Sequence, residues 1–173
     1  MDYIIEKIDQ DIAATNKLFL RKCVRGIILK DDRILLMYSS RDNMYGTPGG
    51  VIMMNETKYD ALHRELLEEV GAFEINILKN IGSTYELRKS RSYNGEPIRI
   101  ESDYYLIDVL TFTDNALESH EEDMGLIPLW VKIDEAIRHN QKQLANYKAY
   151  GNISFYHTQT DILSFIKEHL IEV

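Results

Sequence analysis

The sequence predicts an α/β fold in which a mixed central sheet is covered on both faces by helices. Paired strand-like segments come first, at residues 24–29 and 34–38, with a turn at Asp31 and Asp32 between them. A clearly amphipathic helical segment follows at residues 57–70. Further strands come before the next helix, so the chain lacks strict βαβ alternation. That order favours a mixed sheet over a wholly parallel one.

The size and composition indicate one ordinary globular domain. The chain has 173 residues, of which 45% are hydrophobic and 28% charged, within the usual range for such a domain. We therefore predict a single domain over residues 1–173. Ile5, Ile8 and Ile12 form a weak helical stripe, which predicts a helical extension over residues 1–20 and offers a contact for a homodimer.

The net charge and the cysteine content limit the classes of ligand and of covalent cross-link that the protein can have. A formal net charge of −8 argues against binding to long nucleic acid, because that requires clustered Lys and Arg. A small phosphorylated ligand held through a metal ion is still possible. The single cysteine, Cys23, excludes an intramolecular disulfide and is expected in a buried strand. The N-terminus lacks a long apolar core and no run reaches membrane-spanning length, which predicts a cytoplasmic protein without a membrane partner.

The helix predicted at residues 57–70 has a signal at each end and one apolar side. Thr57 followed by Asp60 indicates a capping box, and Gly71 supplies a stop. The apolar positions recur at helical spacing: Tyr59, Leu62, Leu66, Leu67 and Val70.

Three carboxylates share the other side of this helix. Glu65, Glu68 and Glu69 lie within one turn and disfavour an isolated helix by roughly 0.2–0.5 kcal/mol per pair. Arg64 adjoins Glu65 and is suited to orient it, which leaves carboxylates available for a hard divalent cation such as Mg²⁺. From these residues alone, a solvated acidic face is the better explanation of the pattern.

The spacing of the whole stretch carries a family resemblance. Gly50 is followed by five residues, Glu56, seven residues and then the run RELLEEVGA at residues 64–72. This arrangement is similar, position for position, to the signature of the Nudix hydrolases, and the TPGG run at residues 47–50 is a common lead-in. The resemblance implies an α/β/α sandwich over about residues 24–144.

The resemblance also implies a chemistry. Nudix hydrolases cleave a phosphoanhydride bond in a nucleoside diphosphate linked to another moiety, with Mg²⁺, for which Mn²⁺ substitutes. Arg64 would fix Glu65, and Glu56 would support the preceding loop and reach the metal through water. The implied metal ligands are Glu65, Glu68, Glu69 and the Gly49 carbonyl.

The general base varies among relatives, so Glu68 and Glu122 are both candidates. Glu122, with Glu121 as second choice, belongs to an acidic loop at residues 119–123. A solvent-exposed acidic loop is an equally good interpretation of that segment.

Three further residues are predicted to contact substrate. Gly50 allows close approach of the backbone to a ligand, and Arg88 can hold the non-reacting phosphate. The alternative is that Arg88 and Arg91 are solvated charge at a hairpin tip around Asn94 and Gly95. Tyr104 is a candidate for stacking on a base or sugar, although core packing of both Tyr104 and Tyr105 is the alternative.

The remaining elements follow from the same patterns. We predict strands at residues 73–78, 81–87, 98–109 and 127–133, and helices at 134–144, capped by Asp134, and at 161–170, capped by Thr160.

The substrate and two other function classes stay open. ADP-ribose, a dinucleoside polyphosphate, a nucleoside triphosphate and a sugar nucleotide are all compatible, because variable loops recognise the attached group. The alternatives are a nucleotide-sensing domain without activity and a pyrophosphohydrolase of RNA 5′ ends. A related diphosphate isomerase is disfavoured because no cysteine lies near the signature.

Overall fold

The computed structural model describes residues 3–9, 12, 18–90, 95–114, 125–146 and 153–171. These residues form seven strands and three helices. The strands are β1 (Ile5–Ile8), β2 (Phe19–Lys30), β3 (Arg33–Ser39), β4 (Met44–Gly46), β5 (Ala72–Lys89), β6 (Pro97–Phe112) and β7 (Leu126–Lys132). The helices are α1 (Lys58–Val70), α2 (Ile133–Asn146) and α3 (Ile153–Leu170).

The strands form the mixed sheet that the sequence predicts. The order is β1-β5-β6-β2-β3-β4, and β7 pairs with β3 beside this path. The pairs β1–β5 and β2–β6 are parallel, whereas β5–β6, β2–β3, β3–β4 and β3–β7 are antiparallel. Because β2 pairs with β3 only at their shared turn, the two strands diverge away from it.

Alternate residues of the central strands enter two separate cores. Val24 and Ile28 of β2 pack with Leu66 and its neighbours on α1. Ile27, between them in sequence, packs instead with residues of α2 and α3 such as Ile162. This period of two places helices on both faces of the sheet and confirms the α/β/α sandwich. Each fully buried Leu or Ile contributes about 1.5–3 kcal/mol.

Helix α1 begins and ends where its sequence signals predict. The Thr57 hydroxyl accepts a hydrogen bond from the Asp60 backbone N–H at 3.1 Å, and the Asp60 carboxylate accepts one from the Thr57 N–H at 3.4 Å. At the other end, Gly71 adopts a left-handed conformation with φ of 70° and donates its N–H to the Leu67 carbonyl. The capping box and the glycine stop are both confirmed.

The predicted helical stripe near the N-terminus is wrong over the residues that the structure describes. Residues 5–8 form an edge strand, β1, with alternating half-buried and exposed side chains, and Ile5 packs against the core beside α2 and α3. The spacing of Ile5 and Ile8 suited a helix, but pairing with β5, roughly eighty residues away, decides the outcome. Residues 10, 11 and 13–17 lie outside the described residues.

Other boundaries also differ from prediction. Asp134 is not a cap, because it lies in the first turn of α2, which begins at Ile133. The predicted strands at 73–78 and 81–87 are a single strand, β5, with register shifts around Asn80 and Gly82, as expected of β-bulges. Thr160 is not a cap, because α3 begins at Ile153. The Thr160 hydroxyl donates to the Tyr156 carbonyl at 2.7 Å, which satisfies it inside the helix.

No helix within the described ranges has both the length and the apolar character needed to span a membrane.

Candidate active site

The segment that precedes α1 is fixed along strand β2. Val24 N–H donates to the Gly50 carbonyl at 3.0 Å, and Gly26 N–H donates to the Pro48 carbonyl at 2.9 Å. Val51 also forms an isolated antiparallel bridge with Cys23. The segment therefore occupies the position that β3 leaves as it diverges from β2, and the sheet itself positions the start of the signature.

The two adjacent glycines are required by close approach. Gly49 has φ of 125°, and a Cβ there would overlap the Val24 carbonyl oxygen. A Cβ on Gly50 would overlap the Glu65 carboxylate. Backbone and carboxylate can therefore lie side by side only because these positions lack side chains.

Arg64 is the centre of an ion-pair network. Its Nε and Nη2 donate to the two Glu56 carboxylate oxygens at 2.8 and 3.1 Å. Its Nη1 donates to Glu65 at 2.9 Å and to Glu68 at 3.2 Å, while Nη2 also reaches the Val51 carbonyl. These hydrogen bonds raise the pKa of Arg64, and Arg64 lowers the pKa of Glu56. The predicted pairing of Arg64 with Glu65 is present.

The three carboxylates of α1 differ in their surroundings. Glu65 is 8% exposed, and burial raises its pKa against the opposing effect of Arg64. Glu69 is 5% exposed and accepts a hydrogen bond from the Gly49 N–H at 2.5 Å. The Glu68 side chain is more accessible, at 28%. Two carboxylates are thus held in place, and the third has access to solvent.

Arg25 is a site residue that the sequence analysis did not identify. Its Nη1 donates to the carbonyls of Thr47, at 3.1 Å, and Gly49, and its guanidinium lies over the Phe155 ring, 5.2 Å from the centroid. A charged residue inside the apolar run 24–29 was the available signal. Arg25 fixes the Gly49 carbonyl that the resemblance assigns to metal binding.

The oxygen donors of the site fit a divalent cation. Within the described part of the chain, no three His, Cys, Asp or Glu side chains already form a metal-binding group, because Glu65 and Glu68 face Arg64 and Glu69 accepts from Gly49. The available donors are nonetheless all oxygens, the ligands that hard cations prefer. The Gly49 carbonyl retains a second lone pair beside its bond from Arg25. The residues present therefore fit Mg²⁺ or Mn²⁺.

A cavity of about 590 Å³ extends from these residues across the sheet. It brings together six of the predicted site residues: Gly49, Gly50, Arg64, Glu65, Glu69 and Arg88. Beyond them its wall is formed by further charged groups and by apolar side chains, namely Arg21, Arg25, Arg41, Asp42, Glu86, Met37, Ile100, Leu126 and Phe155.

The position of Arg88 excludes one of its two interpretations. Arg88 lines the cavity, with its Nε 3.5 Å from Glu86 Oε2, so its side chain is not at a solvated hairpin tip. Arg91, Glu121 and Glu122 lie outside the described residues.

The prediction that Tyr104 contacts substrate is wrong. Tyr104 is 1% exposed and belongs to the core beneath α2 and α3. Its hydroxyl accepts a hydrogen bond from Gln159 at 3.0 Å, and burial raises its pKa to about 12. Tyr105 is also buried, at 3%, so both tyrosines serve core packing and neither ring has a free face for a ligand.

Comparisons with known proteins give one family model and several solved structures that the chain resembles. The model of the NUDIX domain matches residues 20–151. Among solved structures, a NUDIX hydrolase from Nitrosomonas europaea aligns with a TM-score of 0.53 and 20% identity, over 82% of this chain and 88% of that one. A MutT NUDIX hydrolase from Burkholderia pseudomallei gives 0.46 and 23%, over 66% and 84%. The E. coli ORF135 protein gives 0.49 and 18%, over 92% and 100%.

No match is found among the curated proteins. The first structural alignment supports the fold, and the family match supports the assignment of the signature. Since that match extends over well over half of the sequence and includes the whole stretch from Gly50 to Ala72, the chain belongs to the Nudix hydrolase family.

Proposed function

We propose that this protein is a Mg²⁺-dependent hydrolase that cleaves a phosphoanhydride bond in a nucleoside diphosphate linked to another moiety. The observation that carries the proposal is the position of the carboxylates. Glu65 and Glu69 line one end of a cavity whose adjoining wall contains Arg21, Arg25 and Arg88. An anionic substrate requires both features, because its phosphates need cationic neighbours and its reacting phosphate needs a metal site.

The charges of the cavity support an anionic ligand. The chain as a whole has a net charge of −8, yet the cavity lining holds five arginines against four carboxylates. Positive groups concentrated in a cleft raise the local concentration of anions and increase their rate of association. The same overall charge disfavours a long nucleic acid as substrate.

Each residue of the signature has a role in this proposal. Glu65, Glu68, Glu69 and the Gly49 carbonyl would hold the divalent cation, with Arg64 orienting Glu65 and Glu56. When bound, the cation neutralises phosphate oxygens and lowers the pKa of a water molecule. Arg88 would bind the non-reacting phosphate through its guanidinium.

The general base is assigned to Glu68 or Glu122. Glu68 combines access to solvent with a position one helical turn from Arg64, so it can accept a proton from an attacking water. Arg64 holds the Glu68 Oε2 at 3.2 Å, which limits its orientations. Glu122 stays a prediction from the family resemblance.

The test is a product assay over a panel of linked nucleotides. ADP-ribose, a dinucleoside polyphosphate, a sugar nucleotide and nucleoside triphosphates are each incubated with Mg²⁺, with Mn²⁺ or with a chelator. We expect at least one compound to be cleaved into two phosphate-containing products, only when metal is present. If none is cleaved, but calorimetry shows that one binds, the protein is a nucleotide sensor and the proposal fails.

A further inference from the structure

Arg21 is an arginine of the cavity wall to which the proposed function gives no individual role. It lies on β2 and lines the cavity together with Cys23 and Arg25. Because side chains alternate along a strand, these three residues share one face of β2. Lys22, between the first two, lies on the other face and is exposed. The Arg21 side chain therefore belongs to the cavity wall and not to the outer face of the sheet.

The residues that surround Arg21 on that face do not neutralise its charge. Phe19 and Cys23, its neighbours along β2, belong to one apolar cluster with Ile100, and Ile100 lies directly opposite Arg21 on β6. Burial raises the pKa of the Cys23 thiol, so Cys23 is neutral at pH 7. A charged group that lies against apolar side chains requires a counter-ion to offset its loss of hydration.

The other arginines of the cavity lining have partners in the protein. These are Arg64 with its carboxylates, Arg25 with two backbone carbonyls, Arg41 with Asp42, and Arg88 with Glu86. Arg21 is different, because within the described ranges of the chain its side chain forms no hydrogen bond or ion pair. The cavity therefore contains one cation whose counter-ion a ligand has to supply.

The position of Arg21 relates it to the metal ligands. The Ile52 N–H donates to the Lys22 carbonyl at 2.9 Å, and Val51 bridges Cys23. The segment that follows Gly50 therefore runs along β2 beside Arg21. Arg88 lies on β5, which is separated from β2 by β6, a distance of two strand spacings or about 10 Å. Of these two arginines, Arg21 is on the strand that adjoins the signature.

We infer that Arg21 binds a phosphate group of the substrate's diphosphate and holds it beside the metal site. A guanidinium can donate two parallel hydrogen bonds to phosphate oxygens, a geometry that a lysine cannot reproduce. This inference rests on the proposed function and adds a phosphate contact on the opposite side of β6 from Arg88. Since every candidate substrate contains a diphosphate, the contribution of Arg21 is independent of the attached group.

The test uses methylenediphosphonate, a diphosphate analogue that has no base and is not cleaved. Its dissociation constant is measured by calorimetry in the presence of Mg²⁺. We expect Arg21→Gln to weaken binding at least about tenfold, the scale of a hydrogen bond between charged groups. Arg21→Lys should lose less, because it keeps the charge but not the paired hydrogen bonds. On any linked nucleotide that is cleaved, Arg21→Gln should raise KM more than it lowers kcat.

Lys22→Gln is the matched control. Lys22 is the next residue of the same strand, is exposed on the opposite face and does not line the cavity. This substitution removes the same charge from the same strand, so the dissociation constant of methylenediphosphonate should equal that of the wild type. An equal loss in Lys22→Gln and Arg21→Gln would show a general effect of net charge and would overturn the assignment. Thermal melts of all three variants establish that the fold is retained.

Binding measurements separate this inference from the proposed function. If methylenediphosphonate binds through Arg21 but no linked nucleotide is cleaved, only the hydrolase is overturned. If a linked nucleotide is cleaved, and Arg21→Gln keeps the wild-type KM and the wild-type affinity for methylenediphosphonate, only the role of Arg21 is overturned. Failure of the wild type to bind methylenediphosphonate, or an Arg21→Lys variant no better than Arg21→Gln, would also contradict the bidentate contact.

Discussion

The two walls of the cavity differ in how the sequence encodes them. The catalytic wall, residues 47–70, is one continuous segment in which Arg64 bonds Glu56, Glu65 and Glu68 within eight positions of itself. The recognition wall is assembled from strands β2 and β5 and from helix α3, with Arg25, Glu86, Arg88 and Phe155 as members. Apart from the pair of Glu86 and Arg88, its contacts join residues that lie far apart in sequence, such as Arg25 and Phe155.

This difference separates the residues that carry out the reaction from the residues that select the substrate. The capping box of α1 and the bonds of Arg64 are internal to the segment, whereas β2 fixes the position of its first residues. A wall built from distant strands can change one side chain at a time without disturbing that segment. Substitutions in the catalytic wall should therefore alter turnover on every substrate. Substitutions in the recognition wall should alter either the choice of substrate or the position of the catalytic wall.

The largest effect is expected within the catalytic wall. Glu69→Gln keeps an oxygen that can accept from the Gly49 N–H but removes a charge, so kcat should fall at least about a hundredfold on every substrate, the scale seen when a charge-stabilising group is lost. Steady-state kinetics would measure this, with a thermal melt to show that the fold is retained. Turnover close to that of the wild type would contradict the assignment of the metal ligands.

Glu74→Gln provides the control for that substitution. Glu74 lies just after α1, is exposed and bonds only the exposed Thr111 side chain across the β5–β6 pair among the contacts found. The Glu74→Gln substitution changes the overall charge by the same amount as Glu69→Gln. A loss of kcat common to both variants would therefore reflect long-range charge and not the site.

The second effect tests the contact between the two walls. Arg25→Lys keeps a positive charge, but a lysine cannot bond the Thr47 and Gly49 carbonyls while stacking on Phe155. A hydrogen bond to a charged group contributes about 1.5–3 kcal/mol, and about 1.4 kcal/mol corresponds to tenfold. We therefore expect kcat/KM to fall about tenfold or more on all substrates.

Arg33→Lys is the matched substitution for this comparison. Arg33 belongs to the adjacent strand, and its long bond to the Trp130 carbonyl, at 3.5 Å, is exposed. The Arg33→Lys variant should retain full activity. If Arg25→Lys were equally active, the loop that carries Gly49 would be held by the sheet alone, and the two walls would be independent.

The same distinction explains what the sequence could predict. The capping of α1 by Thr57, the stop at Gly71 and the pairing of Arg64 with Glu65 were predictable because each depends on residues a few positions apart. The sandwich was predictable from the order of the elements, since strands in hairpins with interposed helices favour a mixed sheet covered on both faces. These features can be predicted without knowing which strands become neighbours.

The errors at the N-terminal strand and at the site residues involve long-range pairing. Residues 5–8 became a strand because β5 offered an edge about eighty positions away, and local spacing cannot reveal such a partner. Arg25 and Glu86 became site residues only when β2, β5 and α3 came together. Tyr104 was assigned to the wrong face because the direction of a strand residue depends on a register that only the folded sheet defines.

The smallest effect concerns stability within the catalytic wall. Glu56 accepts two hydrogen bonds from Arg64, which lower its pKa below the ordinary value of 4.5. A carboxyl group whose pKa is lower in the folded state stabilises the fold above its unfolded-state pKa, and that contribution disappears as the pH falls through the folded-state pKa. Glu56→Gln should thus lower the melting temperature at pH 7 by about 2–4 °C, and the difference from wild type should shrink below about pH 4.

A second background shows whether Arg64 is the cause. In Arg64→Met, Glu56 has lost the partner that lowers its pKa, so adding Glu56→Gln should change the melting temperature little at either pH. A pH-dependent difference that persisted without Arg64 would mean that Glu56 is stabilised through its bond from the Met53 N–H. In that case the loop would be self-supporting, and Arg64 would serve only the carboxylates of α1.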